Sequence, residues 1–98
     1  MATSKPTLRI ELSPQFRAAV RSLPKKRRSE IGRAITAVRD GFGAPHQHSG
    51  IGIRRLRGNI FECRAGLKLR LVFESERGRL SFTALGTHDE IRGSLKNL

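Results

Sequence analysis

The chain has no tryptophan and no tyrosine, and its five aromatic residues are all phenylalanine. Its core must therefore rest on aliphatic side chains and on a few rings without a polar handle. One cysteine, Cys63, excludes an internal disulfide, and a lone thiol in a strand-like segment suits a reducing compartment. Acidic residues are scarce too: eight oppose twenty lysines and arginines, for a formal net charge of +12. Such a chain repels itself, so a polyanion or an acidic protein is the expected partner. No apolar run approaches the roughly 20 residues of a membrane span, and the N-terminus lacks a signal peptide's apolar core. A cytoplasmic protein with no membrane partner is expected. With 98 residues, a single domain over 1–98 is expected, with one modest core.

What is present is patterned. After a loose tail at Met1–Pro6, the stretch Thr7–Leu12 alternates Leu8, Ile10 and Leu12 with Arg9 and Glu11, the period of a half-buried strand. Ser13-Pro14 opens a helix, with serine as N-cap and proline in the first turn. Phe16, Ala19, Val20 and Leu23 share one face of it. Leu23-Pro24 breaks that helix, and a second runs from about Lys25 to Asp40, with Ile31, Ala34, Ile35 and Val38 at helical spacing. Gly43–Gly50, with Pro45, His46 and His48, reads as a loop.

Four strands follow, at Ile51–Arg57, Asn59–Ala65, Leu67–Glu74 and Arg79–Leu85, divided by glycine-bearing turns. In the third, Leu67, Leu69, Leu71 and Phe73 face one way and Lys68, Arg70, Val72 and Glu74 the other. Thr87-His88-Asp89-Glu90 is a capping box, in which threonine and glutamate satisfy each other's backbone amides at a helix start. The fold class expected is α+β: an N-terminal strand and a helical hairpin packed on a four-stranded antiparallel meander, then a short C-terminal helix.

This arrangement resembles the RelE/ParE toxin superfamily of bacterial toxin–antitoxin systems over about Leu8 to Lys96. Arg55-Leu56-Arg57-Gly58 resembles the entry to that family's sheet. Phe61-Glu62-Cys63-Arg64-Ala65-Gly66 resembles its aromatic-Glu-x-Arg-x-Gly hairpin. Leu69-Arg70-Leu71-Val72-Phe73 resembles the strand that follows, and Leu85-Gly86-Thr87-His88-Asp89-Glu90 the motif that closes the sheet. The resemblance implies a RelE-like fold and a toxin held inactive by a cognate antitoxin. Ribonuclease members cut mRNA on the ribosome without a metal or other cofactor, whereas the ParE branch acts on DNA gyrase. Ribonuclease members often carry an aromatic residue near the start of the C-terminal helix; here that position is Arg92, whose planar guanidinium can still stack on a base.

Metal-free RNA cleavage needs a base for the 2′-hydroxyl proton, positive charge on the phosphorane and an acid for the departing 5′-oxygen. His88 is the expected acid or base. Arg70, on the polar side of the most regular strand, is the expected charge stabiliser, with Arg55, Arg57, Arg64 and Lys68 as its phosphate cradle. Glu62 shares a face with Arg64 and is either a general base, as the resemblance allows, or half of a cross-strand salt bridge, the stronger expectation. Lys25, Lys26, Arg27 and Arg28 put positive charge at a helix N-terminus, where the dipole disfavours it, so that they either grip RNA or form a solvated face. His46 and His48 lack an evident third ligand, and no metal site is expected. Three readings follow: a ribosome-dependent mRNA endoribonuclease, with ribosome, mRNA and antitoxin as partners; a gyrase-binding inhibitor; and a nucleic-acid-binding domain without catalysis.

Overall fold

The computed structural model describes residues 8–96, so the tail at 1–6 and the start of the first strand at Thr7 lie outside the described residues. The first strand, β1 (Arg9–Leu12), passes directly into helix α1 (Pro14–Arg21). Ser13 makes that junction: its side chain accepts from the Phe16 backbone N–H at 3.0 Å, and Pro14 occupies the first helical position. Helix α2 (Lys25–Gly41) starts after Pro24 without a side-chain cap and buries Ile31, Ala34 and Val38.

Residues 43–50, read above as a loop, instead form most of a helix, α3 (Pro45–Ile51). Its proline and glycine are capping signals rather than loop signals: Pro45 opens the helix, and Gly52 closes it in the left-handed region at φ 77°. His48 ties it down. Its Nε2 accepts from the Gly43 backbone N–H at 3.1 Å, and its ring stacks on Phe42 with centroids 5.6 Å apart.

The sheet continues with β2 (Arg54–Arg57), β3 (Ile60–Ala65), β4 (Leu69–Glu76) and β5 (Arg79–Gly86), and the chain ends in helix α4 (His88–Lys96). The meander is antiparallel, as expected. However, the sheet has five strands in the order β1-β5-β4-β3-β2, because β1 pairs in parallel with β5. Alternation identifies a strand but not its neighbour, and the excursion through the helices returns the chain to the far edge. Arg79 joins this edge by ion pairs to Glu11 on β1 and to Glu76.

Helices α1 and α2 cover one sheet face. There Phe16, Ile31, Ala34 and Val38 meet Cys63, Ala65, Leu71, Phe73, Leu80 and Phe82 in one buried cluster. All five phenylalanines touch in series, from Phe16 through Phe82 and Phe73 to Phe61 and Phe42, with successive centroids 5.0–5.8 Å apart. As the central strand, β4 is buried on both sides. Val72, expected on an open face, is buried, and α4 packs across β4 and β5. Leu67, expected in the core, precedes the strand and is 97% exposed in the turn. Among the described residues no helix is long and apolar enough to cross a membrane.

Candidate functional site

The site is built on the sheet face away from α1 and α2, where the register aligns three strands. Arg64 on β3 stands opposite Arg70 on β4, and Arg70 opposite Gly86 on β5. Two residues beyond Gly86, His88 begins α4, partly buried. Gly86 sits close under that helix, and a Cβ added there would come within 3.2 Å of the Glu90 Cβ. The turn that carries His88 is fixed at both ends by the expected capping box. The Thr87 backbone N–H donates to Glu90 Oε1 at 2.9 Å, and the Glu90 N–H donates to Thr87 Oγ1 at 3.2 Å. These bonds hold the Glu90 carboxyl below its ordinary range, the backbone bond from Thr87 contributing most.

Beside the arginine pair lies Glu62, a buried carboxylate with 2% of its surface exposed. Its register partner on β2 is Arg54, whose Nη2 lies 3.3 Å from its Oε1. This is the cross-strand salt bridge that alternation anticipates, though Arg54 was not among the expected site residues. Arg54, Glu62, Arg64 and Arg70 together line a cavity of about 230 Å³, closed on one side by Ser49, Gly52 and Ile53. The Arg64 side chain passes over Gly52, where a Cβ would come within 2.5 Å of its Nε, and its Nη2 donates to the Ser49 carbonyl at 3.5 Å. Thus α3 positions one of the two central arginines.

The register divides the rest of the expected cradle. Arg55 stands opposite Phe61, on the side of the phenylalanine series, and its Nε donates to the Gly58 carbonyl at 2.7 Å, so it holds the β2–β3 turn. A bulge between Arg55 and Arg57 resets the alternation, pairing Arg57 with Ile60, on the same face as Glu62 and Arg64. That bulge explains why a strict two-residue period selects Arg55 and passes over Arg54. Lys68 is exposed in the β3–β4 turn rather than on a strand, and Arg92 is exposed on α4.

The basic run at the start of α2 is not part of this cluster. Arg27 pairs with Glu30 at 2.9 Å, and Arg28 lines a separate groove between α1 and α2 with Leu12, Phe16 and Val20. Lys25 and Lys26 are exposed. His46 is exposed, while His48 is committed to Gly43 and Phe42.

The thiol on this strand takes no part in the site. Cys63 points to the core, fully buried, and burial together with the neighbouring Glu62 charge pushes its pKa up to about 12. The remaining arrangement puts fixed positive charge and a carboxylate together on one sheet face, and His88 follows at the start of α4 without lining the cavity that Arg54, Glu62, Arg64 and Arg70 share. That combination can bind a phosphodiester and move protons beside it.

No protein-family model and no curated protein matches the chain by sequence. Solved structures match by shape. The archaeal RelE–RelB complex from Pyrococcus horikoshii OT3 aligns at 17% identity over 83% of this chain and 94% of that one, with a TM-score of 0.68. YafQ from E. coli strain BL21(DE3) aligns at 17% identity over 86% and 97%, with a TM-score of 0.66. The YoeB–YefM complex from Staphylococcus aureus aligns at 23% identity over 83% and 97%, with a TM-score of 0.62. With its parallel β1–β5 edge, its antiparallel meander and its closing helix, the chain has the RelE-like toxin fold.

Proposed function

We propose that the protein is the toxin of a toxin–antitoxin pair and acts as a metal-independent endoribonuclease on mRNA in the ribosome. One observation carries this reading: the row Arg64, Arg70, Gly86 crosses three adjacent strands and leads within two residues to His88. Cleavage then proceeds by internal attack. The 2′-hydroxyl proton passes to Glu62, the carboxylate lining the same cavity as Arg54, Arg64 and Arg70. The 2′-oxygen attacks phosphorus, Arg64 and Arg70 stabilise the phosphorane's charge, and His88 protonates the departing 5′-oxygen. The products are a 2′,3′-cyclic phosphate and a 5′-hydroxyl end.

An antitoxin partner is supported by the company the fold keeps, since the similar RelE and YoeB structures are complexes with RelB and YefM. A net charge of +12 on 98 residues also calls for an acidic protein or a polyanion. The deciding experiment is single-turnover cleavage of mRNA programmed in the ribosomal A site, alongside induction in cells. Prompt loss of protein synthesis, with cuts bearing cyclic phosphate ends, is the expected result. An SOS response with intact translation and no cleavage would replace this reading with gyrase inhibition.

A further inference from the structure

The three arginines of the site are not equivalent. Arg64 and Arg70 have no carboxylate partner among the described residues, whereas Arg54 meets Glu62, Nη2 to Oε1 at 3.3 Å. That is also the only ion pair Glu62 makes among the described residues. The backbone dictates the pairing. Arg54 stands on the edge strand β2, and the register sets it opposite Glu62 on β3. Arg55 pins that register, since its Nε donates to the Gly58 carbonyl at the β2–β3 turn. The bulge after Arg55 confines regular pairing on this edge to Arg54 and Arg55, and bulges at a sheet edge serve to aim side chains.

Arg54 is largely exposed, so ordering it against Glu62 returns little stability. Its use is geometric. A general base must lie within hydrogen-bond reach of the proton it takes, and a buried carboxylate with a single ionic partner is oriented by that partner. An arginine already engaged by a carboxylate also offers less to a phosphate than the two beside it. We propose that Arg54 is a positioning residue: its guanidinium holds the Glu62 carboxylate toward the cavity shared with Arg64 and Arg70, where the 2′-hydroxyl proton is taken, and it makes no contact of its own with the scissile phosphate. This role deepens the nuclease reading and rests on it. Because Arg54 acts only through Glu62, the two behave as one unit, and the effects of replacing them do not add.

The test is a double-variant cycle, read by single-turnover cleavage of mRNA in the ribosomal A site at varied ribosome concentration. Arg54→Met should lower the saturated rate about 10–100-fold, as misplacing a reacting group does, and leave the half-saturating concentration unchanged. Arg54→Lys keeps the charge of a single-contact pair and should cut at least about threefold faster than Arg54→Met. In a Glu62→Gln chain, already slowed, Arg54→Met should change the rate by less than about twofold more. Arg77→Met removes the same charge from the exposed β4–β5 turn and should match the parent. Urea midpoints establish that each variant is folded. If Arg54→Met is not, Arg54→Lys and the double variant, in which no carboxylate is left unpaired, still decide. Losses that multiply in the double variant, or a raised half-saturating concentration at an unchanged rate, would make Arg54 a phosphate contact and overturn the proposal, with the nuclease reading intact. So would an Arg54→Met chain that cuts at the parental rate. A Glu62→Gln chain that cuts like the parent removes Glu62 as the base and the positioning role with it. A parent that does not cut removes the nuclease reading and this role together.

Discussion

The two faces of β3 differ in kind, one residue apart. Towards the helices it presents Phe61, Cys63 and Ala65, which join the main core; the other way it presents Glu62 and Arg64, beside Arg54 and Arg70. The first face follows from hydrophobicity alone, and any well-packed set of similar volume would serve. The second is expensive. A carboxylate at 2% exposure loses its hydration, and one ion pair at 3.3 Å to an arginine that is itself 65% exposed returns little of that loss. Stability does not account for Glu62, so binding or chemistry is the better explanation of that face.

The contrast is tested most strongly by Cys63, since its thiol is reachable only when the core opens. A native-state thiol reagent should react with it about a thousandfold or more slowly than with the unfolded chain, as the free energy of folding requires. The sign of the pH dependence follows from its raised pKa. Between the ordinary 9.0 and about 12 the unfolded chain ionises this thiol and the folded chain does not. The contribution is therefore intact below pH 9 and is lost as pH rises through that window. Urea midpoints of the wild type and Cys63→Ala across pH 8 to 11 should converge as the pH rises; parallel curves would mean that the thiol is not held neutral.

Next come paired substitutions, one on each face of β4. Phe73→Ala removes a ring, fully buried, that contacts Phe42, Phe61 and Phe82, and should cost about 3–5 kcal/mol in denaturant titrations. Arg70→Ala should shift stability by less than about 1 kcal/mol yet lower single-turnover cleavage on the order of 10²–10³-fold. An Arg70 variant that loses stability and keeps activity would invert the assignment of the two faces.

Most of the inner face was legible in the sequence, because the periods of Phe16–Leu23, Ile31–Val38 and Leu69–Phe73 carry it directly. The outer face was legible in part. Arg64, Arg70 and Glu62 follow from parity, and the capping box announces the turn at His88. Arg54 was hidden by a bulge, which a two-residue period cannot foresee. The α3 helix was missed because proline and glycine mark helix ends as well as loops. The burial of Val72 and the exposure of Leu67 depend on α4 and on where β4 begins, both matters of tertiary packing.

The smallest effect expected belongs to the seam between the faces, where β5 gives way to α4. Thr87→Ala removes the hydroxyl that accepts from the Glu90 N–H and should cost about 1 kcal/mol, as for other N-caps. Glu90 adds a pH signature. Its folded pKa lies below the ordinary 4.5, so its contribution is present above that value and fades as pH falls through the lower folded pKa. Glu90→Gln should flatten the acid limb of the stability curve while leaving the neutral plateau nearly unmoved, since glutamine can still accept from Thr87. Because the box orients the turn that bears His88, Thr87→Ala should also slow cleavage, and by much less than His88→Ala, which removes the imidazole itself and should cost about 10²–10⁴-fold. Equal losses in the two variants would indicate that the imidazole serves only to shape the turn, and the proton to the 5′-oxygen would then have to come from elsewhere on the sheet.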